Sequence, residues 1–267
     1  MNIHFISIGG SAMHNLALAL QAKGDQITGS DDAIFEPSRS RLEEAGLLPA
    51  EMGWFPEKIH SNLDAIILGM HAKADNPELL KAQELGLTIY SYPEFLYEHG
   101  KNKTRVVIGG SHGKTTITSM ILHVLKYHQI EVDFMVGAQL EGFDRMVHLT
   151  SENEIIVLEG DEYLSSPIDL RPKFHLYRAN IALISGIAWD HINVFPTYEN
   201  YVGQFSTFLD TMVKGGTIVY NEEDPEVKRV VEQSVNQVKK YPYGTPDFRI
   251  ENGMTLLETP EGEIPLE

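Results

Sequence analysis

Cysteine is absent from all 267 residues of the chain, which excludes disulfide bonds, thiolate metal ligands and a cysteine nucleophile. Long hydrophobic runs are also missing, since no stretch reaches the roughly 18 apolar residues that a membrane-spanning helix requires. The amino terminus lacks the basic and then apolar pattern of a secretory signal. We therefore expect a cytoplasmic protein with no membrane partner.

Positive charge is scarce, because 21 lysines and arginines face 38 aspartates and glutamates and the formal net charge is −17. Non-specific nucleic-acid binders neutralise phosphates with Lys and Arg, so the sequence predicts no nucleic-acid partner. A nucleotide would have to be attracted locally, by helix N-termini, single lysines and metal ions, and not by the overall field. Solubility is the other interpretation of this acidity.

The stretch 105–117 has the pattern of a phosphate-binding loop. A β-branched apolar run ends at two glycines, and apolar residues then recur at helical spacing, which predicts strand, tight loop and helix. Such a loop binds phosphates through backbone N–H groups at the helix N-terminus, a lysine for the β/γ oxygens and a hydroxyl for Mg²⁺. The predicted ATP-binding residues are Gly110, Ser111, His112, Gly113, Lys114, Thr115 and Thr116.

The spacing of this loop differs from the usual Walker pattern. Ile108 stands where the first glycine is usual, so the loop is two residues shorter between its glycines. An ordinary strand-to-helix turn is the alternative interpretation. The Lys-Thr-Thr that follows Gly113 favours nucleotide binding.

The amino-terminal residues predict a β-α-β unit. An apolar run ends at residues 9–11, a helical repeat follows, and a second short strand leads to Asp31. Asp31 lies about twenty residues after the glycines, where dinucleotide-binding folds place a ribose-binding acid. The Gly-x-Gly-x-x-Gly fingerprint is broken by Ser11 and His14, so we predict a Rossmann-like nucleotide half that is not built for NAD. A plain β-α turn with a capping aspartate is the alternative.

A second candidate ligand contact follows the strand predicted over 64–70. That strand is continuously apolar, which is typical of a buried parallel strand. His71 and Lys73 come after it, and the carboxyl ends of strands carry ligand sites in such sheets. A solvated pair on a loop is an equally open interpretation.

The polar, non-periodic segment 98–104 predicts a domain boundary. It divides the α/β chain into a Rossmann-like unit, 1–100, and a P-loop unit, 101–267. In the second unit, a strand predicted over 134–138 precedes a Gly- and Asp-containing connection, and short alternating runs from Val238 onwards predict β-hairpins, with Asn252-Gly253 at a turn. Because the chain stops inside this hairpin region, we expect the second unit to be incomplete.

Two predicted strands end in candidate metal ligands. A strand over 154–158 leads to Glu159-Gly-Asp-Glu162, and a strand over 180–185 leads to Asp190-His191. A Mg²⁺-nucleotide site needs a few hard ligands of this kind, with phosphates and waters completing the shell. A solvated acidic turn and a core histidine are the alternatives. A helix is predicted from Thr197, and we assign its apolar stripe to the core: Tyr198, Tyr201, Val202, Phe205, Phe208, Leu209 and Met212.

Together these motifs resemble the Mur ligases, the ATP-dependent amide-forming enzymes of peptidoglycan synthesis and recycling. The resemblance rests on residues 110–116, 159–162 and 190–191. It also rests on the turn at 8–13, which is similar to the UDP-binding turn of the branch that acts on UDP-N-acetylmuramate. The UDP-sugar-binding residues that it implies are Gly9, Gly10, Ser11, Ala12, Met13, Asp31 and His71.

The resemblance implies ATP and Mg²⁺ as cofactors, and UDP-N-acetylmuramate and an amino-acid or peptide amine as partners. Lys114 would neutralise the β/γ oxygens of ATP. Thr115 and Glu159 would hold one Mg²⁺, and His191 with Glu159 would hold a second. Lys114, Glu159 and His191 are thus the implied catalytic residues.

Within that branch, Glu162-Tyr163 and the run 169–174 are more similar to the murein peptide ligases, which attach a recycled tripeptide, than to the enzymes that add L-alanine. Asp169, Arg171 and Lys173 would recognise a longer, charged acceptor or would form a solvated surface run. Ligation of L-alanine is the nearest alternative. A P-loop kinase or nucleotide switch is disfavoured, because the sequence lacks a guanine-reading motif. A non-catalytic UDP-sugar-binding module stays an open alternative, and the sequence does not predict the oligomeric state.

The sequence departs from the family pattern in two ways. Gly186 stands where Asn is usual and Ala188 where an acid is usual, so we expect a side-chain contact near the metal to be missing. The family also continues through a Gly-x-His-Asn segment and a carboxyl-terminal domain that are not in this sequence. We therefore expect the chain to bind substrate without catalysing the full reaction.

Overall fold

The computed structural model describes residues 1–138 and 145–266. Its helices are α1 (Ser11–Lys23), α2 (Ser38–Glu44), α3 (Pro77–Glu84), α4 (Tyr92–Gly100), α5 (Lys114–Tyr127), α6 (Lys173–Leu176), α7 (Tyr198–Thr211) and α8 (Pro225–Gln233). A short 3-10 helix covers Pro56–Lys58. Within these ranges, no helix is long and apolar enough to cross a lipid bilayer.

The strands of the amino-terminal half are β1 (Asn2–Ile6), β2 (Gln26–Ser30), β3 (Ala65–Leu68) and β4 (Ile89–Ser91). They form a parallel sheet of four strands in the order β2-β1-β3-β4. Every residue of β3 is buried, as its continuous apolar run predicts. The Rossmann-like α/β architecture predicted for this half is confirmed.

The strands that follow are β5 (Thr104–Gly109), β6 (Asp133–Met135), β7 (Val147–His148), β8 (Ile155–Glu159), β9 (Leu164–Ser166), β10 (Asp169–Pro172), β11 (Ile181–Ile184), β12 (Thr217–Asn221) and β13 (Lys239–Tyr243). Seven of them form one sheet in the order β13-β12-β11-β5-β8-β6-β7, in which only the β6–β7 pair is antiparallel. β5 lies between β8 and β11, so the phosphate loop, the Glu159 segment and the His191 segment meet at one edge of the sheet.

Side-chain caps explain where several helices begin. Asn76 accepts hydrogen bonds from two amides of α3, and Asp224 does the same for α8, with a proline at the start of each helix. Ser91 and Glu94 form a reciprocal capping box on α4. Thr197 caps α7 through the amide of Asn200. These polar residues fix the ends of helices whose apolar sides pack on the two sheets.

A buried carboxylate ties the segment between the two sheets to the second sheet. Asp133 of β6 accepts hydrogen bonds from His99 Nε2 of α4 at 2.8 Å and from Lys103 Nζ at 2.5 Å. It also accepts bonds from the amide and hydroxyl of Thr150, both at 2.9 Å, and from the amide side chain of Asn153 at 3.0 Å. The proposed boundary at 98–104 is therefore held by an ordered network.

The carboxyl-terminal residues form a separate antiparallel sheet of β14 (Phe248–Glu251), β15 (Met254–Thr259) and β16 (Gly262–Leu266). Asn252 and Gly253 both have positive φ, 52° and 82°, in the β14–β15 turn, which confirms the predicted hairpin. The register places Phe248, Leu257 and Ile264 on one face, with Ile250 and Leu266 beside them.

Two sequence predictions were wrong in detail. The strand predicted over 134–138 is β6, which ends at Met135, and most of the connection after it lies outside the described residues. Residues 239–243 do not join a hairpin but pair in parallel with β12. The β9–β10 hairpin and α2 were not predicted from the sequence.

Candidate functional site

The phosphate loop has the backbone that its glycines predict. Gly110 and Gly113 have φ of 128° and 78°, a region that side chains other than glycine rarely adopt. A Cβ at Gly110 would also lie 2.2 Å from Ser185 Oγ. No side chain among the described residues caps the N-terminus of α5, and the first turn of a helix leaves its amides without intrahelical acceptors. Amides of this kind bind phosphates at helix N-termini, which is the role that the sequence predicts for this loop.

Lys114 is held between a carbonyl and a buried carboxylate. Its Nζ donates to Gly110 O at 2.7 Å and to Glu162 Oε2 at 2.9 Å. Glu162 is fully buried. A buried carboxylate is tolerated only when it is paired and hydrogen-bonded, so Lys114 and Glu162 stabilise each other. Glu162 was part of the sequence motif but was not among the predicted site residues.

Thr115 and Glu159 form the second pair of the site. Thr115 Oγ1 donates to Glu159 Oε1 at 2.9 Å, and Gly137 N donates to Glu159 Oε2 at 2.9 Å. Two oxygens at adjacent corners of an octahedral shell with Mg–O distances of about 2.1 Å lie about 3 Å apart. The distance between the two side-chain oxygens and their hard-donor chemistry therefore fit one magnesium ion.

His191 lies beside Glu162 and Tyr163. Its Nε2 is 3.6 Å from Glu162 Oε1, and its ring packs edge-on against Tyr163 with 5.1 Å between centroids. Asp161, Glu162 and His191 each place a potential ligand atom within 4.8 Å of the others. In the described part of the chain this group does not include Glu159. The structure thus places Asp161 and Glu162 beside His191, and the predicted pairing of His191 with Glu159 at a metal ion stays a prediction.

Asp161 carries a lysine partner of its own. Its Oδ2 accepts a hydrogen bond from Lys173 Nζ at 2.5 Å. Burial favours the neutral acid, but the charge of Lys173 and its hydrogen bond outweigh that effect and hold the pKa of Asp161 below its usual value. Asp161 is therefore a carboxylate at neutral pH.

The charged run 169–174 separates into two environments. Arg171 and Asp169 bond to each other on the exposed side, with Arg171 Nη2 and Asp169 Oδ2 2.6 Å apart, and Arg171 also reaches Glu94 at 3.4 Å. Lys173 instead lines the cavity beside Lys114 and His191. Of the three charged residues singled out from the sequence, Lys173 is the one placed at the site.

Tyr201 is a site contact that sequence reasoning missed. Its ring is fully buried in the core, as the apolar stripe of α7 predicts. Its hydroxyl lies 2.8 Å from Ser111 Oγ and 3.1 Å from Glu162 Oε1. Helical periodicity assigns the ring to the core and carries no signal for the position of its hydroxyl.

At the amino-terminal turn, Asp31 holds the backbone in place. Its Oδ2 accepts a hydrogen bond from Gly9 N at 2.7 Å, and a Cβ at Gly9 would meet Ile34 at 2.7 Å. Burial, the largest effect, raises the pKa of the Asp31 carboxyl. α1 begins after Gly10. Among the described residues, no side chain caps the N-terminus of this helix.

One cavity of about 400 Å³ joins the two halves of the chain. Ser11 and Ala12 line it from the amino-terminal turn, and Lys114, Glu159 and His191 line it from the second sheet. Met13 is buried in the core and His71 is exposed. Of the predicted UDP-sugar residues, the structure therefore brings Ser11 and Ala12 to the phosphate loop, and it places neither Met13 nor His71 among the residues that line the cavity.

Hydrogen bonds made by its backbone hold the segment in which Gly186 and Ala188 replace the usual family residues. Ser111 N donates to Gly186 O at 3.0 Å, and Ala188 N donates to Ser111 Oγ at 2.8 Å. Ile187 N donates to Asp224 Oδ2 at 2.9 Å. The segment is fixed to the phosphate loop and to the start of α8 without a side chain at either departure.

Comparison with known proteins gives two family matches in chain order. Residues 2–104 match the Mur ligase family catalytic domain, and residues 108–262 match the Mur ligase middle domain. Among curated proteins, the chain is similar to UDP-N-acetylmuramate--L-alanine ligases. One from Dictyoglomus turgidum is 31% identical over 265 residues, covering 98% of this chain and 54% of the relative. One from Sulfurihydrogenibium sp. is 32% identical over 271 residues, covering 99% and 57%. The chain spans about half the length of these relatives.

Solved structures share the fold. The UDP-N-acetylmuramate:L-alanyl-gamma-D-glutamyl-meso-diaminopimelate ligase from Neisseria meningitides superposes with a TM-score of 0.85 at 24% identity, over 98% of this chain and 85% of that one. A murein peptide ligase from Psychrobacter arcticus superposes with a TM-score of 0.79 at 23% identity, over 97% and 58%. Since the middle-domain match alone covers more than half of the sequence, the chain belongs to the Mur ligase family.

Proposed function

We propose that this chain is the ATP- and UDP-N-acetylmuramate-binding part of an ATP-dependent ligase that joins a carboxylate to an amine. The observation that carries the proposal is the shared cavity, which Ser11 and Ala12 line from the amino-terminal turn and Lys114 and Glu159 line from the phosphate loop side. A ligase of this kind must hold a nucleotide phosphate chain and a second substrate's carboxylate at one place. ATP-dependent amide ligation is the activity of the family.

The chemistry requires an activated carboxylate. At neutral pH a carboxylate is a poor electrophile, so the lactyl carboxylate of UDP-N-acetylmuramate would attack the γ-phosphorus of ATP and release ADP. The amine of the acceptor would then add to the resulting acyl phosphate, lose a proton and expel inorganic phosphate. Positioning and electrostatic stabilisation carry most of a phosphoryl transfer, so the residues of the cavity need to orient and neutralise.

Lys114 and the amides at the start of α5 would hold the phosphates. The ammonium of Lys114 would neutralise the β/γ oxygens, and its bond to Glu162 fixes the direction from which it approaches. Thr115 and Glu159 would hold one Mg²⁺, whose charge would offset the negative charge that builds on the transferred group. His191, with Asp161 and Glu162 nearby, would hold the second metal ion that the family resemblance implies.

The acceptor that we propose is a recycled murein tripeptide, with L-alanine as the second candidate. The tripeptide is favoured by Lys173, a cation at the cavity wall that would pair with a carboxylate of a longer, charged acceptor. L-Alanine is favoured by the sequence relatives, which carry the name of the L-alanine ligase. Release of phosphate from Mg-ATP and UDP-N-acetylmuramate, measured with each amine in turn, separates the two. Stimulation by L-alanine alone would overturn the tripeptide assignment.

Titration calorimetry tests the substrate-binding proposal on the chain itself. We expect saturable binding of UDP-N-acetylmuramate and of Mg-ATP, and we expect Ser11→Trp to abolish binding of the UDP-sugar because the indole would fill the cavity. Ser61→Trp, at an exposed serine outside the cavity, is the matched control and should bind normally. A folded chain that binds neither ligand would contradict the proposal.

A further inference from the structure

Three separate segments of the site meet at one phenol hydroxyl. Tyr201 OH, from α7, lies 2.8 Å from Ser111 Oγ of the phosphate loop and 3.1 Å from Glu162 Oε1. Ser111 Oγ in turn accepts a hydrogen bond from Ala188 N at 2.8 Å. Glu162 follows β8 and Ala188 follows β11, so Tyr201 connects the ends of three neighbouring strands.

The direction of these hydrogen bonds follows from the groups themselves. Tyr201 OH donates to Glu162 Oε1, on the carboxylate that also accepts from Lys114 Nζ. Tyr201 O must then accept from the hydroxyl of Ser111, and Ser111 accepts from the amide of Ala188. The result is an ordered chain from Ala188 N–H to the carboxylate that holds Lys114.

Packing does not require this hydroxyl. The Tyr201 ring contacts Phe195 and Phe205, with centroids 5.6 and 5.4 Å away. Phe205 and Phe208 are buried on the same face of α7 and carry no polar atom. A phenylalanine at position 201 would therefore fill the same space. The Tyr201 hydroxyl, which phenylalanine lacks, is the atom that bonds to Ser111 and Glu162.

We propose that Tyr201 is a positioning residue of the nucleotide site, because its hydroxyl fixes the phosphate loop and the Ala188–His191 segment relative to the Lys114–Glu162 pair. This inference rests on the proposed ATP-binding function. Tyr201 is not among the residues that line the cavity. It acts through Ser111, which anchors the loop, and through Glu162, which sets the direction of the Lys114 ammonium.

Hydrogen exchange tests the positioning role without any nucleotide. Tyr201→Phe removes only the hydroxyl, and we expect faster amide exchange at least threefold in residues 110–116 and 186–191, with other segments unchanged. The matched control is Tyr220→Phe on β12, a buried tyrosine of the same core cluster, and it should leave both segments unchanged. Unaltered exchange in these segments of Tyr201→Phe, or an equal increase in Tyr220→Phe, would overturn the proposal.

A double-mutant cycle on Mg-ATP affinity supplies the functional measurement. A hydrogen bond to a charged group contributes on the order of a tenfold change in an equilibrium constant, so Tyr201→Phe should raise the dissociation constant about tenfold. In a Ser111→Ala background, where the chain is already broken, the same change should raise it less than about threefold. Equal effects in both backgrounds would show that Tyr201 acts independently of the loop and would refute the positioning role. If the unsubstituted chain binds no Mg-ATP, the proposed function fails, and the exchange result still decides the role of Tyr201.

Discussion

At the scale of single residues, Lys114 is the cation on which we propose that phosphate binding depends most. One preorganised electrostatic contact is often worth about 3 kcal/mol or more, so we expect Lys114→Met to weaken Mg-ATP binding at least about a hundredfold in calorimetry. Lys214→Met, at an exposed lysine after α7, is the matched control and should bind like the parent chain. A loss below tenfold for Lys114→Met would remove Lys114 from the proposed site.

The same substitution has a second expected effect, because Lys114 also neutralises buried Glu162. Removing one partner of a buried ion pair leaves an uncompensated charge and costs about 3–5 kcal/mol. Thermal unfolding should therefore be recorded beside each binding curve. Adding Glu162→Gln to Lys114→Met should restore most of the lost stability but none of the affinity, which separates the two roles of the lysine.

At the scale of elements, the tight turn between β5 and α5 depends on Gly110 for two reasons that one experiment can separate. Gly110→Ala would strain a backbone with φ of 128° and would place a Cβ 2.2 Å from Ser185 Oγ. Gly215 also has a positive φ, 79°, but a methyl group added there would meet open space. We expect Gly215→Ala to cost about 1 kcal/mol in urea unfolding, and Gly110→Ala to cost more and to abolish Mg-ATP binding. If the two variants lose equal free energy of unfolding and Gly110→Ala still binds Mg-ATP, the close approach of Gly110 to Ser185 is contradicted.

The network around Asp133 in β6 predicts a pH dependence. Burial alone would raise the pKa of Asp133, but hydrogen bonds from His99, Lys103 and Thr150 outweigh it and the pKa lies below its usual value. Its contribution to the free energy of unfolding is therefore complete above the usual aspartate pKa of about 3.9 and is lost as the pH falls through the lower folded value. Asp133→Asn should be about 2–3 kcal/mol less stable than the parent at pH 7, and the gap should narrow below about pH 4. A gap that is constant with pH would mean that the charge of Asp133 contributes nothing.

Elements specified by nearby residues were predictable from the sequence, and those specified by distant partners were not. β5, its loop and α5 follow from an apolar run, glycines and a helical repeat within a few residues of one another. The pairing of β13 was predicted wrongly because its partner is β12, on the far side of α8 in the sequence. At the site, Lys114, Thr115 and Glu159 were found by motif, whereas the grouping of His191 with Asp161 and Glu162 depends on where two loops place their side chains.

At the scale of the whole molecule, the net charge of −17 opposes the approach of a nucleotide. The Debye length falls from about 30 Å at 0.01 M salt to about 8 Å at 0.15 M, so salt should screen this repulsion while the local contacts of Lys114 persist. We expect the association rate constant of a fluorescent ATP analogue, measured by stopped flow at fixed Mg²⁺, to rise severalfold over that range. An uncharged adenosine analogue is the control and should show no change. A rate that falls with added salt would show that local cations govern the approach.

The small sheet of β14, β15 and β16 has a consequence for how the isolated chain behaves on storage. Phe248, Ile250, Ile264 and Leu266 share one face and are 53%, 69%, 49% and 47% exposed. Adjacent exposed apolar side chains on a sheet with unpaired edges promote aggregation. We therefore expect the chain to aggregate through this sheet and not through the nucleotide cavity. In a turbidity measurement during concentration, Ile250→Lys should stay soluble to a higher concentration than the parent chain.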